Sequence, residues 1–373
     1  MKDCRIVSVS DVHLGHRKND TFEIVLALRK YILDPALLKE TDIMIIAGDL
    51  FDRLLDLENE YLGEIQLFMV SVLHACEKHD VTLLVLEGTP SHDRRQSHMF
   101  DTLVLATNSK ADYHYVTTLD ILYLEKYDAH ILFVPDVWRP TAQETLDEFK
   151  DLLKSKGLTQ VDLAIMHGQF EYQLPPHVKS VALHSAEEYH KLVKTHIFIG
   201  HDHTHSRYGI ITSQGSFDRL VHGEEEPKGF VQAIIKNNEA TIWFIENKDA
   251  RTYNTVDCTD ISLQDTIEYL QEYVKSLRMD ACVRIKAEKN HPIFSNMAEL
   301  VKISATIDWS KKSDDEKPTQ SANLSGVSDL DQEWTPIHID SDNIVKTLLD
   351  RLKTKSVTPE QLTFIQSQLE ELR

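Results

Sequence analysis

The chain has 373 residues, 42% hydrophobic and 27% charged, which suits a globular protein large enough for more than one domain and excludes a disordered or collagenous chain. Lys and Arg number 40 against 60 Asp and Glu, a formal charge of -20. Bulk composition therefore offers no broad basic face for nucleic acid or an anionic membrane, and a polyanion has to be held locally, by metal or by a few cations. No apolar run approaches the roughly 18 residues of a membrane span, and the opening MKDCRIVSVSDVHLG turns polar too soon for a signal peptide. The expectation is a cytoplasmic protein that engages no membrane. Cys4, Cys76, Cys258 and Cys282 stand far apart with no C-x-x-C pair, which argues against a thiolate zinc site and a disulfide scaffold. Histidines, by contrast, number 19.

Short β-branched runs alternate with longer amphipathic stretches through the first two-thirds, the pattern of an α/β domain with buried, largely parallel strands. In chain order the spacing predicts strands over residues 6–9, 43–47, 81–86, 131–134, 163–166 and 196–199, with helices over 22–33, 61–78, 141–154 and 186–193 between them. Two further β-like runs, 230–235 and 241–245, flank Asn237-Asn238, a hairpin signal. The first domain is placed at 1–247. A small accessory domain, 248–310, follows as strand, helix, strand, helix, strand over 252–256, 263–277, 282–287, 295–302 and 305–309. The polar stretch SKKSDDEKPTQSANLSGVSDLDQ marks a flexible linker assigned to 311–340. The tail, 341–373, returns to helical patterning, with Leu348, Leu349 and Leu352 in one stripe and Leu362, Ile365, Leu369 and Leu372 in another after a Thr358-Pro359 helix start. There is no internal repeat.

Five of the predicted strands run into metal-capable or catalytic side chains. Residues 6–9 lead to Asp11 and His13, 43–47 to Gly48-Asp49, 81–86 to Ser91-His92-Asp93, 163–166 to His167, and 196–199 to Gly200-His201-Asp202-His203. In open α/β sheets ligands bind at the carboxyl ends of the strands, so these groups are expected to converge across nearly two hundred residues of sequence. Imidazoles and carboxylates without thiolate suit Mn, Fe, Zn or another borderline divalent ion, with donors enough for two ions sharing a bridging carboxylate. The dominant use of such a pair is the activation of water against a phosphate ester.

Asp11-x-His13, Gly48-Asp49-Leu50-Phe51-Asp52-Arg53, Gly88-Thr89-Pro90-Ser91-His92-Asp93, Met166-His167-Gly168 and Gly200-His201-Asp202-His203, in this order and each after a predicted strand, resemble the five motifs of calcineurin-like metallophosphoesterases. The resemblance covers residues 1–247. Within that superfamily, Gly48 to Asp52, the Gly-Ser and Lys-Gly-Phe elements of GSFDRLVHGEEEPKGF, the small following domain and the helical tail are most similar to SbcD-type DNA repair nuclease subunits. This implies an α/β fold, with a calcineurin-like core of two mixed β-sheets flanked by helices, a small α+β accessory domain with a possible DNA contact, and a C-terminal helical tail. It also implies a metal-dependent DNA nuclease, exonuclease or endonuclease, that hydrolyses phosphodiesters by a two-ion-activated hydroxide. Such an enzyme works with an SbcC-like ATPase in DNA repair, recombination or replication, as a homodimer within a heterotetramer. The cofactor implied is two divalent metal ions, Mn2+ first, with Mg2+, Fe2+ or Zn2+ as alternatives. The other readings of the chain are a small-molecule or protein phosphoesterase on the same core and a catalytically weakened scaffold subunit.

Carried over by position, the resemblance implies that Asp11, His13 and His203 hold one ion, that Asp49 bridges, and that His167 and His201 hold the second. His92 becomes the catalytic histidine that protonates the leaving oxygen or steadies the transition state, oriented by Asp52. The family's Asn ligand is replaced by Ser91, with Thr89 and Pro90 as two extra residues in the loop. A hydroxyl is a poorer ligand than an amide carbonyl, so a weaker second ion is expected. Arg94 and Arg95 are candidate phosphate contacts, with Arg17 and Lys18 in the same class. Glu224 to Glu226 read as a solvated loop, and His98, His184 and His205 as solvated loop histidines. The Tyr61 to Leu73 stripe is read first as core, in the region that forms the dimer contact in the resembling family. The terminal helices, too short to be stable alone, are expected to pack either on their own domain or on the base of an SbcC-like ATPase coiled coil.

Overall fold

The computed structural model describes residues 1–313 apart from Pro176 and Lys179. The strands are β1 (Cys4–Val9), β2 (Ile43–Ala47), β3 (Thr82–Leu86), β4 (Tyr113–Val116), β5 (Asp120–Leu124), β6 (Ala129–Val134), β7 (Val161–His167), β8 (Val193–Gly200), β9 (Ser206–Tyr208), β10 (Ile211–Ser213), β11 (Gly229–Lys236), β12 (Glu239–Glu246), β13 (Tyr253–Asp257), β14 (Cys282–Ala287) and β15 (Asp308–Ser313). The helices are α1 (Thr21–Tyr31), α2 (Pro35–Lys39), α3 (Leu62–His79), α4 (Met99–Thr107), α5 (Ala142–Ser155), α6 (Ala186–Leu192), α7 (Leu263–Tyr273) and α8 (Met297–Ile303).

Two six-stranded sheets, ordered β12-β11-β1-β2-β3-β4 and β5-β6-β7-β8-β10-β9, pack face to face. Each is parallel in its middle and antiparallel at its margin. β1, β2, β3 and β4 run parallel while β11 and β12 run antiparallel. β6, β7, β8 and β10 run parallel while β5 and β9 do not. The alternation of side chains along each strand sorts residues between two cores. Ile43, Ile45, Leu84 and Leu86 meet Ile131, Phe133, Leu163, Ile165 and Phe198 between the sheets. Met44, Ile46, Leu83 and Val85 point the other way, to Ile24, Leu28, Phe68 and Val72 of α1 and α3. Leu132, Ala164, Met166 and Ile197 of the second sheet meet Leu146, Phe149 and Tyr189 of α5 and α6. β2 and β3 are buried at every position because both faces of their sheet are covered, so neither shows polar alternation.

A third sheet, β13-β14-β15, all parallel, carries α7 and α8 on its own apolar core built round Leu270, Val283, Ile285 and Leu300. The fold class is the one expected, mixed α/β with two helix-flanked mixed sheets. Local differences are confined to short or edge elements. α2, α4, β4, β5, β9 and β10 were not anticipated, α7 stops at Tyr273 and tightens into a 3-10 turn to Ser276, and β15 starts at Asp308. That strand takes in Lys311 to Ser313, the first residues of the expected linker. The remainder of the linker and the 341–373 tail lie outside the described residues. Among the described residues, no helix is long and apolar enough to cross a membrane.

Candidate metal centre

Four residues just past strand ends hold left-handed backbone conformations: Asp11 (φ 51°), His13 (φ 55°), Asp49 (φ 50°) and His201 (φ 103°). Side chains with a Cβ rarely sit there, and such strain persists only where the surroundings fix it. Two glycines make the turns possible. A Cβ on Gly48 (φ 84°) would fall 2.2 Å from His167 Nδ1, and one on Gly88 would fall 2.2 Å from the Asp49 amide nitrogen. The Gly48 and Gly88 turns therefore pass with backbone almost touching. Asp93, fully buried, accepts N–H groups from Gly88 (2.7 Å), Asp49 (3.1 Å) and Phe51 (2.9 Å) and locks the two turns together.

On this frame the side chains converge. Ligand-capable atoms of Asp11, His13 and His203, of His13, Asp49 and His92, and of Asp49, His167 and His201 form three groups, each with its atoms within 4.8 Å of one another. Asp49 belongs to two of them and His13 to two, so the groups form one chain of donors.

Two observations test whether these residues fit divalent ions. First, His13 is 2% exposed, and while its Nδ1 lies 3.3 Å from Asp52 Oδ1, its Nε2 has no hydrogen-bond partner, the nearest carboxylate being Asp49 Oδ2 at 3.9 Å, an arrangement a buried imidazole tolerates when a cation takes that lone pair. Second, the neighbouring acceptors fix the tautomers. His167 Nδ1 donates to the Ala47 carbonyl at 2.8 Å, and His203 Nδ1 donates to Glu224 at 2.6 Å. In the neutral ring each Nε2 is then a bare lone pair, facing Asp49 at 3.3 Å and Asp11 at 3.9 Å respectively. This is how metal-binding histidines are commonly oriented. The residues fit.

The electrostatics agree. Burial alone would raise Asp49, but His167, His92 and His13 hold its carboxyl well below the usual range. Burial alone would lower His167, yet the charges of Asp49, Asp11 and Asp136 raise it well above its ordinary value. His203 is raised in the same way, by Glu224 and Asp11 against burial. The pocket is thus a focus of negative potential that draws positive charge.

No protein-family model and no curated protein sequence matches the chain. Among solved structures, that of the protein TT1561 of Thermus thermophilus is 10% identical, with 65% of this chain and 99% of that chain covered and a TM-score of 0.39. Another is 12% identical, with 65% and 100% covered and a TM-score of 0.40.

Asp11, His13, Asp49, His92, His167, His201 and His203 are brought together, whereas Ser91 and Asp52 are not where the motif alignment put them. Ser91 is exposed, and its carbonyl is taken by Arg94 Nε at 3.2 Å. The hydroxyl inside the site belongs to Thr89, 8% exposed. The two extra residues thus follow the position next to Gly88 instead of preceding it. Asp52 lies against His13, Oδ1 to Nδ1 3.3 Å, where His13, His16 and His92 hold its carboxyl below the usual range against the effect of burial. The partner of His92 Nδ1 is Asp49 Oδ2, at 2.9 Å. Arg94 and Arg95 are exposed on consecutive left-handed residues beside His92.

The solvated-loop reading of Glu224 is overturned. It is 4% exposed, bonded to His203 and to the Leu220 amide, 3.5 Å from buried Lys228, and held down at about 2 by His203 and Lys228 against burial. Its burial is compensated on every side, which sequence alone does not reveal; the sole signal is the alternation Glu224, Glu226, Lys228. His184 is also buried, and His205 is half-buried with its ring 4.5 Å from that of Phe244, so neither is a solvated loop histidine, whereas His98 is exposed. Asp136, two residues past β6 and 3.8 Å from His201 Nδ1, was missed although it follows the same rule of an acid after a strand end.

Proposed function

We propose that the chain is a metal-dependent phosphodiesterase whose substrate is DNA, acting as a nuclease in repair or recombination. The observation that carries this reading is the convergence of Asp11, His13, Asp49, His167, His201 and His203 into overlapping donor groups with His92 at their edge. Divalent cations held there supply Lewis acidity and lower the pKa of water. The chain's own residues do the rest. Asp49 holds His92 through Nδ1, leaving Nε2 to carry a proton toward a leaving oxygen. Glu224 and the Ala47 carbonyl fix the ring orientations of His203 and His167. Arg94 and Arg95 are exposed two and three residues after His92, cations available to an extended polyanion more than to a small monoester. The motif resemblance supports DNA as that polyanion, with an SbcC-like ATPase and a second copy of the chain as partners. Four buried, unpaired cysteines suit a reducing, cytoplasmic compartment.

The test is an assay with Mn2+ on bis-p-nitrophenyl phosphate, p-nitrophenyl phosphate and linear duplex DNA. Cleavage of the diester and of DNA supports the nuclease. Cleavage of the monoester alone replaces it with a small-molecule or protein phosphatase, and silence with bound metal replaces it with a scaffold.

A further inference from the structure

We propose that Thr89 Oγ1, and not the hydroxyl of Ser91, is the neutral oxygen ligand of the ion held by Asp49, His167 and His201. This rests on the two-ion reading above and assigns that site a residue outside its motif alignment. Thr89 follows Gly88 directly at the end of β3, and its N–H donates to Asp49 Oδ1 at 2.6 Å, so its backbone is anchored to the bridging carboxylate itself. Its Oγ1 stands 3.1 Å from Asp49 Oδ2 and 3.4 Å from both His167 Nε2 and His201 Nδ1.

The proton count makes this a cation's environment. His167 donates Nδ1–H to the Ala47 carbonyl at 2.8 Å, so Nε2 is the ring nitrogen turned to the site and the one that would offer a lone pair to a cation. Asp49 stands as an acceptor, taking the Thr89 N–H on Oδ1 at 2.6 Å and His92 Nδ1 on Oδ2 at 2.9 Å. A hydroxyl owns one hydrogen and cannot satisfy Asp49, His167 and His201 together. With that hydrogen turned to Asp49 Oδ2, the shortest of the three contacts, the oxygen's lone pairs are free on the side of the imidazoles. A hard neutral oxygen beside two imidazoles and a carboxylate is a donor set for Mn2+, Zn2+ or Fe2+. Pro90 and Ser91 lead the chain out of the site, and Ser91 ends exposed.

The test titrates the full-length protein with Mn2+ by calorimetry, with electron paramagnetic resonance reading whether two Mn2+ ions are spin-coupled. Wild type is expected to bind two ions as a coupled pair. Thr89→Val keeps the size and removes the oxygen; its second ion should bind at least about tenfold more weakly, with the coupled signal giving way to that of isolated Mn2+, while the first ion stays within about twofold. Thr89→Ser, which keeps the hydroxyl, should retain the pair, and Ser91→Ala should match wild type. Normal second-ion binding in Thr89→Val, loss of both ions in that variant, or weakening in Ser91→Ala would each overturn the assignment. A wild-type protein that binds no Mn2+ would instead overturn the two-ion reading on which it rests.

Discussion

Asp93 accepts three backbone N–H groups from two separate turns. Replacing it by Asn keeps the shape but puts an NH2 opposite at least one of those donors, whichever way the amide is turned. A buried unsatisfied N–H costs about 1–3 kcal/mol, so Asp93→Asn should lower the unfolding free energy by that amount, read from the denaturant midpoint, and loosen the left-handed turn at Asp49. An unchanged midpoint would mean that the turns hold themselves. His92 presents a different question, since it shares a donor group with His13 and Asp49 and could act as ligand or as proton carrier. If it carries the proton, His92→Gln should lose roughly two to four orders of magnitude in rate while binding Mn2+ as before; parallel loss of metal would make it a ligand. At this scale the candidate donors were legible because each follows the carboxyl end of a buried strand, a rule that needs only hydrophobic runs and residue type. Thr89 was not, because an insertion of two residues fits equally well before or after the ligand position, and only the approach of the Gly88 turn to Asp49 decides. Glu224 was hidden for another reason: a run of glutamates is ordinarily solvated, and its partners His203 and Lys228 become neighbours only in the folded chain.

Among the elements, β8 joins the site to the acid response of the fold. It ends in Gly200 before His201, and inside it His196, 2% exposed, pairs with Thr212 at 2.9 Å. Burial pushes His196 down to about 3, whereas in the unfolded chain it takes a proton near its ordinary value of about 6.5. Between those values only the unfolded state binds the proton, so this contribution to stability is whole above about pH 6.5 and is lost as the pH falls. His184, pushed down to about 4 by burial, adds in the same direction. His92, His167 and His203, whose values are raised, act with the opposite sign in metal-free protein. The effect is therefore isolated by difference. Relative to His196→Gln, the wild-type unfolding free energy should drop by about 2 kcal/mol between about pH 7 and about pH 5, and a constant difference would show that His196 is protonated or solvated in the native state. The long elements were readable from periodicity because their apolar faces are continuous. β4 and β5 were not, being sheet margins with half-exposed residues, and β9 and β10 are three residues each, too short for any period to register.

Across the whole molecule, the accessory sheet is tied to the loops that build the site. Tyr253 OH donates to Asn19 at 2.8 Å, Asn19 Nδ2 donates to the Arg219 carbonyl at 2.6 Å, and the ring of His222 meets Tyr253 edge-on at 5.1 Å. Two residues further on, Glu224 holds His203. The two-sheet core and the accessory sheet thus share contacts. The stripes at Leu348, Leu349 and Leu352 and at Leu362, Ile365, Leu369 and Leu372 predict two helices, each too short to be stable alone. Burying one leucine contributes about 1.5–3 kcal/mol, so several together would be enough to hold a partner. Deleting residues 340–373 should therefore leave Mn2+-dependent cleavage of short DNA intact and abolish capture by an SbcC-like ATPase, read by nuclease assay and by size-exclusion chromatography of the mixture. An insoluble or metal-free truncation would assign the helices to the enzyme's own core. Full affinity for the ATPase would move the contact elsewhere, and the exposed Leu54, Leu57 and Leu105 would be the next apolar residues to test.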